Sequence, residues 1–284
     1  EYGANADRRV HSLEPKRFDS TTEWQRMYHE SYLKQMNERK FISGGAVWNN
    51  FDFSSEFRGE TIPHINQKGL FTYDRKPKDV AYLYKASFAS VPVLHIAARD
   101  WPVRSGRGEQ RIDVYTNLDE VELFHDGTSL GKKSAGASKK ITWEIKLRQG
   151  ANSFAARGTR NGRSITDLGE ITWSDPAAMT DIAVNAGSNA EYVHETGSLW
   201  QADRAYAPGS WGFTRNSSKE ASNLRNIFAT EQDAVAQTAR EGSFGYRFDV
   251  PDGEYEIELR FAELKNVKSG ERVFDVSING INTI

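Results

Sequence analysis

The stretch GGAVWNNFDFSSEFRGETIPHINQKG gathers side chains that pass protons in enzymes: Asp52, Glu56 and His64 lie within thirteen positions of one another. Carboxylates in such a loop more often cap turns or face water, so proximity in sequence alone assigns them no role. Asn66 and Lys68 follow as an Asn-x-Lys pair before Gly69, which is the composition of a solvated turn. Further along, Tyr192, Trp200, Tyr206, Trp211 and Phe213 cluster among glycines and asparagines. Aromatic faces in loops stack on sugars while Asn and Asp read hydroxyls, and the competing role for such residues is a core and its lid. The six histidines, at 11, 29, 64, 95, 125 and 194, show no ligand spacing, and there is no cysteine, so no metal ligand and no cofactor is assigned.

Those residues need scaffolding, and the chain is written in three styles. In the first, residues 1–90, helical and strand patterns alternate. Trp24, Met27, Tyr28, Tyr32 and Met36 recur at helical spacing after DSTTE, where Ser20 is expected to cap and Glu23 to reach back. FISGGAVWNNFDF reads as a buried strand, and PKDVAYLYKASFA as a second helix with Pro77 in its first turn. This β-loop-α-β-loop-α order is the grammar of an α/β fold with a parallel sheet. In residues 91–176 the apolar positions alternate with period two, with Asp126-Gly127 and Asn161-Gly162 placed for hairpin turns, which predicts a small antiparallel sandwich. Residues 177–284 are rich in Gly, Asn, Ser and aromatics and end in two expected strands, GEYEIELRFAEL and ERVFDVSING, the last running almost to Ile284. No internal repeat interrupts the pattern.

Composition bounds the partners. The 38% hydrophobic and 12% aromatic residues suffice for packed cores, and the balance of 37 basic against 39 acidic residues leaves a charge of -2. A nucleic-acid partner is therefore not expected, since neutralising phosphates takes a basic surplus. No apolar run is long enough to span a bilayer. The opening EYGANADRRV has neither an initiator Met nor a basic-then-apolar leader and reads as a cut start.

Three ordered motifs carry a resemblance: EYGA before a capped helix, then GGAVWNNFDF, then NQKGLFTYDRKPKDVAYLYK. Together they resemble the closing quarter of the TIM barrel of glycoside hydrolase family 2, the β-galactosidases and β-glucuronidases. VYTNLDEVELFHDGTSLGKK is similar to the immunoglobulin-like domain that follows that barrel, and NAGS with SFGYRFDVPDGEYEIELRFAE and RVFDVSING is similar to malectin, a carbohydrate-binding β-sandwich. The implied architecture is α/β plus all-β: the last two βα units of a barrel over 1–90, an immunoglobulin-like sandwich over 91–176, and a truncated malectin-like sandwich over 177–284.

The resemblance also implies roles. Glu1 falls on the catalytic nucleophile of a retaining mechanism, which needs a second carboxyl group roughly 5 to 5.5 Å away. The family carries that acid upstream, in a barrel segment this chain would need as its partner, so the fragment alone is expected to be inactive. Trp48 would form part of the sugar-binding wall, and Asn66 and Lys68 would meet a sugar carboxylate as in the glucuronidase branch. Trp200, Tyr206 and Trp211 are the candidates for sugar binding in the third segment. Some members use magnesium or sodium, with ligands mostly upstream. The expected activity is release of terminal β-D-galactose by an exo-acting enzyme, with β-glucuronidase or a non-catalytic carbohydrate-binding module as the alternatives. An exported location, periplasm or cell exterior, goes with the resemblance.

Overall fold

The structure is a computed structural model that describes residues 1–214 and 218–283; Ile284, which the last expected strand approaches, lies outside the described residues. The first ninety residues hold β1 (Val10–His11), α1 (Thr22–Glu38), β2 (Phe53–Ser54), β3 (Ile65–Asn66) and α2 (Asp79–Phe88). The α1 N-terminus is capped one residue later than expected: the Thr21 hydroxyl accepts the Trp24 N–H, while Glu23 turns to His11 and the Ser12 N–H. Ser20 is the residue before the cap. Pro77 likewise precedes α2 rather than opening it, because Lys78 occupies the N-cap position.

The expected buried strand over FISGGAVWNNFDF shrinks to single parallel bridges, Tyr2 with Val47 and Phe51 with Phe71, plus the short β2–β3 pair. One ladder neighbour on one side satisfies too few backbone groups to hold an extended run. The helix α1 also turns an unexpected stripe inward. Its buried residues are Thr22, Glu23, Gln25, Arg26, His29 and Leu33, whereas Met27 is half exposed. Both stripes have helical spacing; the buried one is polar because its partners are carboxylates and carbonyls.

The middle of the chain is a sandwich. One sheet contains β4 (Leu94–Ile96), β6 (Glu109–Thr116) and β9 (Lys140–Lys146) in the order β4-β6-β9. The other contains β5 (Val103–Arg104), β7 (Val121–His125), β8 (Thr128–Lys133), β10 (Gly150–Arg160) and β11 (Arg163–Trp173), ordered β5-β11-β10-β7-β8. Period-two alternation sends Ile112, Val114, Ile141, Trp143 and Ile145 from the first sheet against Val121, Leu123, Phe154, Ala156 and Ile171 from the second. Both expected hairpin turns form. Asp126-Gly127 and Asn161-Gly162 have positive φ at both central positions, matching the twist of the strands they join.

The third segment contains β12 (Ala183–Asn185), β13 (Glu191–Val193), β14 (Leu199–Ala202), β15 (Trp211–Thr214), β16 (Lys219–Ser222), the short helix α3 (Asp233–Ala236), β17 (Thr238–Glu241), β18 (Gly245–Phe248), β19 (Ser277–Ile278) and β20 (Ile281–Asn282). Its largest sheet, β1-β13-β14-β12, takes its edge strand from the first segment. The pairs β15–β18, β16–β17 and β19–β20 stand as separate ribbons. The two expected closing strands do not form as such: residues 249–276 carry no strand, and only β19 falls within ERVFDVSING. Tyr255, Ile257, Leu259, Phe261, Val273 and Phe274 are all exposed there. An alternating pattern makes a strand only where a neighbour accepts its backbone groups and a second layer covers its apolar face.

Candidate active site

Glu1 and Trp48 are brought together by two parallel extended segments. The Tyr2 N–H donates to the Ala46 carbonyl at 3.0 Å, and the Trp48 N–H donates to the Tyr2 carbonyl at 2.8 Å. The approach is close enough to require Gly3, where a Cβ would stand 1.9 Å from the Trp48 carbonyl oxygen. The peptide bond after Trp48 is cis. Around these ends opens a cleft of about 330 Å³ lined by Glu1, Tyr2, Gly3, Tyr28, Trp48 and Lys68. The Glu1 residue is exposed and Trp48 is 41% exposed, so a carboxylate and an indole are both open to a ligand. The lining holds one carboxylate, one ammonium and two phenols.

An aromatic layer supports the cleft from below. Tyr2 stacks on Tyr32 with ring centroids 4.8 Å apart, and Tyr28 stacks on Tyr32 at 4.5 Å. The Tyr2 and Tyr84 hydroxyls are 2.7 Å apart, and His29 Nδ1 lies 2.9 Å from the Tyr84 hydroxyl. Burial and the neighbouring Tyr32 push Tyr28 up to about 12, so its phenol stays protonated and able to donate. Burial, and secondarily the Lys78 ammonium, pull His29 down to about 4.

Lys68 reaches the cleft from a loop fixed on several sides. Its N–H donates to Asn66 Oδ1 at 3.2 Å, and its carbonyl accepts the Asn49 N–H at 3.2 Å. Asn66 is itself buried and absent from the cleft lining, so it supports the lysine's backbone instead of flanking it. Asp52 and Lys78 form a buried pair at 2.9 Å behind this loop. Asp52 also accepts the Gly69 N–H at 2.8 Å, and Lys78 Nζ donates to the Ala6 and Gln67 carbonyls, both at 2.9 Å. Burial raises Asp52 to about 6 against the opposing pull of Lys78. This carboxyl is spent on holding the loop. Glu56 is exposed, His64 Nδ1 lies 2.8 Å from the Glu56 carbonyl oxygen, and neither lines the cleft.

Tyr28 in the cleft lining and Lys78 behind it lay outside the expectations. Tyr28 carried a signal as part of the α1 apolar stripe, but phenols at helical spacing read as core. Lys78 followed a proline at a helix start, where a lysine reads as solvated.

The third-segment aromatics fall in two groups: Tyr192 and Trp200 are register partners in β13–β14, and the Tyr206 N–H donates to the Phe213 carbonyl at 3.0 Å on β15, the strand that also carries Trp211. Trp211 is 1% exposed, with the Arg204 guanidinium 4.0 Å from its ring centre and Phe248 stacked at 6.0 Å, which makes it a core residue with no face open to a sugar. Trp200 is half-buried under the Arg260 guanidinium at 4.8 Å. The Tyr206 hydroxyl donates to Asp249 at 2.6 Å, and the Arg247 guanidinium lies 4.8 Å from its ring centre. Among the described residues no group of three or more His, Asp or Glu side chains could hold a metal ion, and no helix is long and apolar enough to cross a membrane.

Comparison with known proteins gives this geometry a context. The Malectin domain family matches residues 180–284, and a domain family of unknown function, DUF4982, matches residues 108–166. A β-glucuronidase of Bacteroides fragilis is 38% identical over 153 residues, covering 52% of this chain and 21% of the relative. A β-galactosidase of Bacteroides ovatus is 32% identical over 160 residues, covering 53% of this chain and 18% of the relative. Among solved structures, Bacteroides uniformis β-glucuronidase 2, covalently bound to cyclophellitol-6-carboxylate aziridine, superposes with a TM-score of 0.80 at 38% identity, covering 89% of this chain and 32% of the other. The chain thus spans about a fifth of the length of these curated relatives and about a third of that structure.

Proposed function

We propose, from the premise that this chain carries a portion of the glycoside hydrolase family 2 architecture, that it forms part of a retaining exo-glycosidase with Glu1 as nucleophile and a terminal β-D-glucuronide as substrate. The observation that carries this reading is a single cleft lined by Glu1, Trp48 and Lys68. The Glu1 carboxylate attacks the anomeric carbon as the glycosidic C–O bond breaks and the aglycone oxygen takes a proton from the general acid; water, deprotonated by the same group, then displaces Glu1 from the glycosyl-enzyme and releases the sugar. Trp48 offers a flat apolar face to the sugar ring. The Lys68 ammonium pairs with the sugar carboxylate, with Asn66 holding the lysine's backbone, and the protonated Tyr28 phenol donates to a ring hydroxyl.

The general acid must be a second carboxyl group near Glu1, and the cleft lining offers none. With no such group lining the cleft among the described residues, the 284-residue chain by itself is expected to give no turnover on a chromogenic glucuronide. Periplasm or cell exterior is the location that goes with an enzyme acting on polymer ends. A β-galactosidase is the second reading, favoured by the likeness to the Bacteroides ovatus enzyme.

The two readings separate in the complete enzyme, assayed on p-nitrophenyl β-D-glucuronide and p-nitrophenyl β-D-galactoside. Lys68→Ala is expected to lower kcat/KM about 100-fold on the glucuronide, the size of a lost charge-assisted contact, and to leave the galactoside nearly unaffected. Equal losses on both substrates, or a wild type that prefers the galactoside, would overturn the glucuronide assignment.

A further inference from the structure

The loop that carries Lys68 is wired to the third segment of the chain. Gln237, directly after α3, is buried at 1% exposure. Its side-chain Nε2 shares its two hydrogens among three carbonyl oxygens, those of Gly59 at 2.9 Å, Glu60 at 3.1 Å and Arg225 at 2.8 Å. Two of these belong to the loop between β2 and β3, and the third belongs to the third segment itself, so one amide ties the two backbones together. The contact is tight: a Cβ on Gly59 would stand 2.3 Å from the Leu224 carbonyl oxygen.

From that loop the connection continues to Gln67, the residue between Asn66 and Lys68. The Thr61 hydroxyl donates to Gln67 Oε1 at 2.9 Å, the Ile62 N–H donates to the same oxygen at 3.3 Å, and Glu60 Oε2 accepts the Gln67 N–H at 3.4 Å. Gln67 is 1% exposed, and its carbonyl accepts from the Ala6 N–H and from Lys78 Nζ. The contacts of Gln67 with the Thr61 hydroxyl, Glu60 and Lys78, and that of Gln237 with the Glu60 carbonyl, are buried, where an unmade hydrogen bond costs most.

We infer that Gln237 is a positioning residue for the cleft: through residues 59–62 and Gln67 it fixes the loop that presents Lys68, so the malectin-like segment sets substrate affinity without touching substrate. This rests on the reading of Lys68 as a substrate contact, and its test is arranged so that the two can fail separately. The structural arm needs no activity. In the complete protein, Gln237→Met, which keeps length and removes the amide, is expected to speed hydrogen–deuterium exchange at Gln67, Lys68 and Gly69 while leaving residues 109–116 of the sandwich unchanged. Unaltered exchange at 67–69 would overturn the inference whatever the substrate proves to be.

The kinetic arm uses the same variant. Gln237→Met is expected to raise KM for the glucuronide about 5-fold, the loss of roughly one hydrogen bond's worth of positioning, with kcat held within about twofold. Combined with Lys68→Ala it should add nothing to the loss that Lys68→Ala causes alone. A KM unchanged by Gln237→Met, or losses that simply add, would reduce Gln237 to a structural tie and overturn the inference. If Lys68→Ala harms both substrates equally while exchange at 67–69 still accelerates, the glucuronide reading fails and the positioning link stands. Gly59→Ala, which pushes the same loop off the third segment from the other side, must reproduce the exchange change, and it carries the test should Gln237→Met fail to fold.

Discussion

The central sandwich and the first ninety residues are both well packed, yet they are packed with different chemistry. Between the sheets of the sandwich Ile112, Val114, Leu123, Ile141, Trp143, Ile145 and Phe154 form one continuous buried apolar cluster. In the first ninety residues Gln25, Arg26, His29, Asp52, Gln67, Lys78 and Asp79 are all buried. Arg26 stands within 3.8 Å of carboxylate oxygens on Glu23, Asp79 and Asp113, and Asp79 also holds His95 at 2.8 Å. An apolar core gains stability from area removed from water and is indifferent to pH. A polar interior gains little net stability from each contact, but it fixes side chains and loops in definite places, which a site needs.

The comparison breaks first if the sandwich is not the apolar stability element. Trp143 faces Ile112 across the β6–β9 ladder and is 3% exposed. Trp143→Ala is expected to cost about 4 kcal/mol of unfolding free energy through lost transfer and a residual cavity. Denaturant unfolding followed by far-ultraviolet dichroism measures it, and a loss below about 1 kcal/mol would mean that the two sheets are not held by this core. A smaller effect is expected in the polar interior. Lys78→Met removes the donor shared by Ala6, Asp52 and Gln67 and leaves Asp52 buried without its cation. The carboxyl then takes up a proton, which limits the cost to about 3 kcal/mol, and adding Asp52→Asn should recover part of it. If the double variant is no better than Lys78→Met alone, the pair is not what holds the loop behind Lys68.

The same contrast decides what could be read from the chain. In the sandwich, sequence and structure agree to the residue at the hairpins, because Asp126-Gly127 and Asn161-Gly162 satisfy a local backbone demand and period two answers to a single buried face. In the first ninety residues the helices were legible as helices, but the inward stripe of α1 was not, because Thr22, Gln25, Arg26 and His29 are buried by partners distant in sequence. Glu1, Trp48 and Lys68 are candidates through motif resemblance alone, and that they line one cleft is a matter of three-dimensional placement. Asn66 was expected at the substrate and sits behind Lys68. The closing strands of the third segment were overread, since alternation at Tyr255, Ile257, Leu259 and Phe261 says nothing about whether a neighbouring strand is present to pair with.

The subtlest consequence of the contrast is pH dependence. His29 is fully buried, with Tyr2, Tyr28 and Tyr84 rings all within 5.6 Å, Nδ1 against the Tyr84 hydroxyl, and the Lys78 cation adding to the cost of protonation. Its folded pKa, about 4, lies below the ordinary value of 6.5, so between these values the unfolded chain binds a proton that the folded one refuses. The contribution of this ring to stability therefore rises with pH across that window and falls as pH drops from 7 toward 4, opposite in sign to that of Asp52, whose raised pKa favours the folded state toward acid. By linkage the drop between pH 7 and pH 5 amounts to about 2 kcal/mol from this one ring. Replacing it by His29→Gln keeps a polar side chain without the titration, and the difference in unfolding free energy between pH 7 and pH 5 should shrink by that amount. An unchanged pH slope in His29→Gln would mean that acid lability does not originate beneath the cleft, and the polar interior would lose the property that most distinguishes it from the sandwich.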